Sequence, residues 1–564
     1  MSSLTNAPHL STHVDTVPSG SDQERQAGAI ALTRHGLRIF RWLWTTFMVV
    51  ATSVPYLWNF ATTPSGYHYT WILPPYPADS FGYMAWTRQA ANGALLFKVK
   101  FTALPQSAFL FHPFFLICGW LTRLFDCEIG AIHLAVKEVG VILFFLAFYR
   151  YADYLRLNEF QSLIASVLLG ISSGFGGLFA LAGWVKHPSI LPADLWMPEM
   201  STYWSLLWNP LFPYSLLLLL LTIYFLDRGT RESRSSDLWF AGLAAGVLAL
   251  IHPYSQPLLL AFAVCVVVVR KRTRGLGYLL RYLAVLSPFL LYVVLLSVFQ
   301  PILAQHSARG AMSSPRVIAY ILGFGLPLLL WAAGFAVGWG RWMKQYWQIV
   351  LWFVLSLGLA YFPFWFQRKL IFGAHIPLCI LAAISFDLIL GRCSNPRIRK
   401  LSLVAAVVVL LPLLAVTPIY QVISGRTEVQ DNTDGAYYIS NQMLDALNFL
   451  RHASKPSDIV LATPQSGRFI TAFSGNTVLW GHWAMSVDYN QRKEWYKRLF
   501  NEPQDWENEQ RSRDFWGSGI EYIFADAQSK TSIEREPVKW HVILRDSDEI
   551  FRNGEVVIYK HKAG

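Results

Sequence analysis

Apolar runs recur along the first 420 residues, at roughly 42–60, 107–125, 131–149, 160–183, 204–226, 238–251, 254–269, 278–299, 316–338, 346–366, 370–390 and 401–420. Most approach the ~20 residues that a helix needs to cross the bilayer core. After residue 420 the runs shorten and alternate. They read as helix (about 438–452), strand (458–462), helix, strand (477–480), helices to about 515, strand (521–525) and a terminal strand near 556–559. The pattern predicts two architectures in one chain, a helical membrane part and a small α/β domain.

Composition sharpens this. The 564 residues are 54% hydrophobic and 15% charged, with a mean hydropathy of +0.34, too apolar for a soluble protein. Charge divides unevenly. Residues 1–420 hold 30 Lys/Arg against 15 Asp/Glu, and residues 421–564 hold 17 against 20. The basic excess therefore belongs to membrane loops, where it sets orientation, and nucleic acid is not implied as a partner. The five cysteines all precede residue 421, so the terminal domain carries no disulfide framework.

Residues 1–33 are Ser/Thr/Gly-rich and polar, and 1–38 reads as a disordered cytoplasmic tail. Arg34, Arg38 and Arg41 hold the N-terminus inside. The clusters Arg228/Arg231/Arg234, Arg270–Arg274, Arg341/Lys344 and Arg392–Lys400 belong inside as well. These orientations agree only if one early segment does not cross. The segment 107–125, short and containing His112-Pro113, is expected to lie along the outer leaflet as a juxtamembrane helix. The prediction is a polytopic α-helical membrane protein of about 11 transmembrane helices (39–420), with a C-terminal extracytoplasmic α/β domain (421–564). The outer face then collects the loops 61–106 and 184–203, residues 300–315, a turn near 366–370 and the terminal domain.

Acidic residues are scarce on that face, which draws attention to Asp79 in Tyr76-Pro77-Ala78-Asp79-Ser80-Phe81, at the head of an expected interfacial helix. A carboxylate there is an N-cap, a general base, or both. Glu199, in the second outer loop, is either a helix-start glutamate or a partner for Asp79 across a cavity, around a divalent cation (Mg or Mn) or as a polar support. Asp194 is a weaker alternative. Arg368 and Lys369 place positive charge where it is least expected, either snorkelling from a helix end or receiving a lipid phosphate. His375 could add a hydrogen bond there. Lys137 and Glu138 lie within an apolar span, where ionisable groups suggest function, and as neighbours they are expected to point to different helix faces. His252 and Tyr254 sit in a turn facing the same outer cavity. In the terminal domain, Trp480-Gly481-His482-Trp483 and Ser466-Gly467-Arg468 are turn-rich and could touch an acceptor, but nothing there has catalytic spacing and core or loop packing is the favoured reading.

This layout resembles the GT-C class of integral-membrane glycosyltransferases, including relatives of bacterial protein mannosyltransferases and lipid A aminoarabinose transferases. The shared plan is one span, a large outer loop with an acidic residue and juxtamembrane helices, two spans, then a second acidic loop. Asp79, the 107–125 segment and Glu199 occupy those places over residues 40–420. Several of these families pair two acids in the first loop, where this chain has one. The resemblance implies transfer of a sugar from a polyprenyl-phosphate carrier to a lipid, glycan or protein acceptor outside a prokaryotic inner or plasma membrane. Asp79 would be the base of an inverting displacement, and Arg368 and Lys369 would stabilise the departing phosphate. Two other classes fit the composition: a transporter or flippase of a lipid-linked saccharide, and a noncatalytic envelope scaffold.

Overall fold

The computed structural model describes residues 34–562 apart from 187–189, 304–311, 433–434, 502–514 and 536. The polar tail 1–33 lies outside the described residues. Residues 34–38, expected within it, already form the first turns of helix α1 (Arg34–Ala61). This helix is inside-out relative to a soluble one. Its buried stripe is Thr45, Met48, Thr52, Tyr56 and Asn59, while Leu43, Phe47, Val50, Val54, Leu57 and Trp58 face outward. Polar groups inward and apolar groups outward is the arrangement that a lipid solvent imposes.

The chain continues through β1 (Tyr67–Tyr69), α2 (Pro77–Ala91), α3 (Pro113–Phe125), α4 (Ile129–Tyr154), α5 (Glu159–Ile171), α6 (Gly176–Leu181), α7 (Thr202–Trp208), α8 (Phe212–Arg231), α9 (Ser235–Ile251), α10 (Gln256–Lys271), α11 (Leu276–Phe299), α12 (Val317–Gln345), α13 (Trp347–Leu359), α14 (His375–Gly391) and α15 (Pro396–Asp431). Seven helical segments among the described residues are long and apolar enough to cross a membrane, and α3, α5, α9 and α13 are shorter apolar helices. The protein is an integral membrane protein.

Several expected spans are interrupted. The run 160–183 breaks after α5, where Ser172 turns extended before α6 begins. The run 204–226 breaks at Asn209, whose side chain accepts the Leu211 amide before Pro213 starts α8. The last apolar run extends to Asp431 rather than stopping at 420, so the terminal domain begins about ten residues later than its composition suggested. Sequence windows average over such breaks, because one Asn-Pro or Ser-Gly pair barely lowers the mean hydropathy of a 20-residue stretch.

The helix α2 is not a surface-lying amphipathic helix. Its buried residues Phe81, Gly82, Met84, Ala85, Thr87, Gln89 and Ala90 surround the axis, with α3 on one side and residues 464–474 on the other. Gly119 of α3 makes that packing close, since a Cβ there would lie 2.3 Å from Ala90 Cβ.

The C-terminal part contributes β2 (Tyr438–Ser440), α16 (Asn441–Ala453), β3 (Ile459–Leu461), α17 (Pro464–Phe469), β4 (Thr477–Val478), α18 (Tyr489–Asn501), β5 (Ile520–Ala525), α19 (Ala527–Arg535), α20 (Pro537–Arg545), β6 (Ser547–Arg552) and β7 (Val557–His561). Its five strands run β4-β3-β5-β7-β6, with β3 parallel to β4 and β5, and β7 antiparallel to β5 and β6. The strand β6 and helices α19 and α20 add to the elements expected from the sequence. The pair β1/β2 joins this part to the loop between α1 and α2, with Tyr67 opposite Ser440 and Tyr69 opposite Tyr438. That clasp brings residues 464–486 over α2.

Candidate functional site

Helix α2 starts at Tyr76, whose phenol donates to the Trp196 carbonyl at 2.8 Å, and Pro77 occupies its first position. Proline costs nothing there, because that N–H has no helical partner. Asp79 is thus in the first turn rather than at the cap, where the positive end of the helix dipole favours an ionised carboxylate. Its side chain remains 38% exposed, open to a reactant.

The loop after β4 meets it. Ala484 and Met485 donate their amides to His482 Nδ1 at 3.1 and 3.2 Å, which assigns the neutral ring's proton to Nε2. That nitrogen is buried and stands 3.4 Å from Asp79 Oδ1. The Ser486 hydroxyl accepts the amides of Gly481 and His482 and fixes the loop. Gly82 makes the approach possible, because a Cβ on it would lie 3.2 Å from Met485 Cε.

Across a cavity of about 520 Å³ from Asp79 lie Glu199, Arg368, Lys369, Arg468 and Trp483. Lys369 Nζ is 2.5 Å from Glu199 Oε1. Burial pushes the Glu199 carboxyl up, but Lys369 and Arg368 outweigh it and hold it below the usual carboxylate range. The second oxygen, Oε2, is buried without a hydrogen-bond partner. The Arg368 guanidinium lies over Trp196 at 5.4 Å, and its Nε is buried and unpaired. A strap positions it: Met312 donates to the Trp365 carbonyl at 2.6 Å, and the Arg368 amide donates back to Met312 at 3.2 Å. Tyr254 stacks edge-on with Trp365 and packs on Phe366 beside the cavity, within electrostatic reach of Asp79.

No protein-family model and no curated protein matches the chain by sequence. Solved structures do match. The apo oligosaccharyltransferase of Archaeoglobus fulgidus aligns with a TM-score of 0.50 at 12% identity, over 90% of this chain and 73% of its own. The arabinofuranosyltransferase AftD from Mycobacteria aligns with a TM-score of 0.53 at 14% identity, over 92% of this chain, which spans 40% of AftD. ArnT from Cupriavidus metallidurans bound to undecaprenyl phosphate aligns over 92% of this chain and 97% of its own, at 12% identity and a TM-score of 0.47. The fold is that of the GT-C membrane glycosyltransferases.

Within this GT-C fold, Asp79, Glu199, Arg368 and Lys369 line one cavity. The other residues singled out from the sequence lie elsewhere. Lys137 is sealed beneath α2: Nζ donates to the Thr52 and Leu207 carbonyls and pairs with Glu138 Oε1 at 2.8 Å, while Glu138 Oε2 accepts from Thr52. The adjacent pair therefore closes on itself instead of diverging, since leaving either charge alone in an apolar span costs more than the bend. His375 ties three elements together, with Nε2 3.1 Å from Ser172 Oγ and Nδ1 accepting the Thr202 amide, and does not reach the cavity. His252 bonds Ser255 at 3.1 Å and packs between Phe212 and Phe372. Asp194 accepts from Ser173 and the Gly176 amide and braces the break after α5; burial pushes its carboxyl up to about 7, against those hydrogen bonds.

To the expected divalent cation the cavity offers two carboxylates, Asp79 and Glu199. Lys369 holds Glu199 Oε1, while Glu199 Oε2 has no hydrogen-bond partner and Asp79 stays partly exposed. Among the described residues no three His, Cys, Asp or Glu side chains converge. Glu199 is the partner that orients Lys369. Arg468 and Trp483 complete the lining, with His482 against Asp79. Their signals in the sequence were the turn-rich stretches Trp480-Gly481-His482-Trp483 and Ser466-Gly467-Arg468.

Proposed function

We propose that this protein is an inverting glycosyltransferase that moves a sugar from a polyprenyl-phosphate carrier to an acceptor hydroxyl on the outer face of the membrane. In this reading 107–125 lies along the outer leaflet and the domain after α15 is extracytoplasmic. One observation carries it: a half-exposed carboxylate, Asp79, faces the Arg368/Lys369 pair across a cavity large enough for a sugar phosphate.

The chemistry follows from the residues. Asp79 takes the acceptor's proton as its oxygen attacks the anomeric carbon. The bond from that carbon to the carrier phosphate breaks on the opposite side, which inverts the centre. The lipid phosphate leaves with the electron pair, and the unpaired Arg368 Nε–H and the Lys369 ammonium stabilise its charge. His482 holds Asp79 in place, Glu199 does the same for Lys369, and Trp483 offers an aromatic face to a sugar ring.

The deciding experiment uses Asp79→Asn, which keeps the shape and removes the basicity. With purified protein, labelled polyprenyl-phosphate sugar and acceptor-containing membrane extract, transfer should fall about 10²–10⁴-fold while donor binding persists. Wild-type turnover in the variant would remove Asp79 as the base.

A further inference from the structure

A second polar cavity, of about 370 Å³, opens on the other side of α2. Arg88 lies nine residues after Asp79, which turns it ~180° around the helix and places it about 14 Å along the axis. The cavity is therefore separate from the one that holds Asp79. Three arginines from three elements line it: Arg88 at the end of α2, Arg123 at the end of α3 and Arg451 on α16.

Among the described residues none of the three is ion-paired with a carboxylate. Arg88 donates only a long contact, 3.4 Å, to the Ala472 carbonyl. Burial and then the like charge of Arg451 push its guanidinium down to about 10, and no acid opposes them. Two acids do line the cavity, Asp126 and Glu128, but Glu128 accepts from Trp71 Nε1 at 2.7 Å and faces His68 at 3.5 Å. The hydroxyl of Thr122, a residue 6% exposed, lines the same space and has no hydrogen-bond partner. A largely buried guanidinium near a like charge, beside an unsatisfied buried hydroxyl, is costly unless a ligand completes it.

The surroundings indicate where that ligand comes from. The helix α3, which supplies Thr122 and Arg123, also exposes Trp120, Leu124 and Phe125, within three residues of them in the chain. Apolar side chains next to a basic pocket match a lipid, with its tails on the apolar face and its headgroup among the arginines. We infer that the Arg88/Arg123/Arg451 pocket binds a phosphate group, supplied by the headgroup of an anionic membrane lipid, at a site distinct from the donor cavity.

Cys127 is a built-in reporter, since it is a free, exposed thiol on the cavity wall. The full-length protein would be placed in nanodiscs of phosphatidylcholine alone or with phosphatidylglycerol. Alkylation of Cys127 by an uncharged maleimide would then be followed by peptide mass spectrometry. Phosphatidylglycerol should slow alkylation about tenfold, and the double variant Arg123→Gln/Arg451→Gln, which changes two exposed side chains, should lose that protection. Protection by inorganic phosphate in phosphatidylcholine discs, again lost in the double variant, would support the phosphate site and overturn its lipid source. Equal alkylation under all conditions, or protection that survives the double substitution, would overturn the site itself.

Discussion

The imidazole Nε2 of His482 stands 3.4 Å from Asp79 Oδ1, and its tautomer is set by two backbone amides donating to the other ring nitrogen. The C-terminal part thus sets an oriented imidazole beside the carboxylate on helix α2. A ring held in this way can steer the carboxylate beside it. Replacing His482 with Ala should lower kcat about tenfold with little change in donor KM, and Gln, which can present an N–H from a similar position, should recover part of the loss. Equal activity in the Ala and Gln variants would leave His482 a packing residue only.

Gly82 tests the same contact from the opposite side. A methyl group there meets the flexible end of Met485 at 3.2 Å, so Gly82→Ala should be tolerated. Gly82→Val adds two methyls and should push the 481–486 loop away from α2, lowering transfer about as much as His482→Ala while leaving the unfolding temperature of the membrane part nearly unchanged. Paired activity and thermal-unfolding measurements separate these outcomes.

Lys369→Ala should destabilise the protein by about 3–5 kcal/mol, since it strands the Glu199 carboxylate in a buried position. Glu199→Gln in the same chain should recover most of that loss. The pH dependence has a defined sign. Because the folded protein holds Glu199 below the usual carboxylate range, its contribution is present above the unfolded value of about 4.3 and disappears as pH falls through the lowered folded value. Unfolding in detergent across pH 3–7 should show this acid loss in the wild type and not in Glu199→Gln/Lys369→Ala.

Arg368 and Lys137 should behave as opposites. Arg368→Ala removes a guanidinium whose Nε has no hydrogen-bond partner and should weaken donor binding about tenfold, at a smaller cost in stability than Lys369→Ala. Lys137→Met breaks the sealed pair with Glu138 and should reduce stability without altering donor affinity in the fraction that folds. Carrier-lipid binding and thermal unfolding, measured side by side, check both.

The division between local and long-range information runs through particular residues. The sequence by itself determined a membrane-embedded helical chain, because sustained apolar runs have no other stable solvent. It also carried the order of acidic outer loops that resembles GT-C enzymes, and the alternation that marks β3, β5 and β7. Asp79 and Arg368 could be singled out because charge is scarce where they lie. Helix breaks at Ser172 and Asn209 were hidden, since a side chain that satisfies a local amide leaves little trace in hydropathy. What only the tertiary structure decided was pairing. Glu199 meets Lys369 across 170 positions, the Asp79–His482 contact spans some 400, and both depend on where the β1/β2 clasp and the packing of α2 bring distant segments together. Electrostatic and hydrogen-bonding partners are chosen by distance in space, and a residue's position along the chain does not encode that distance.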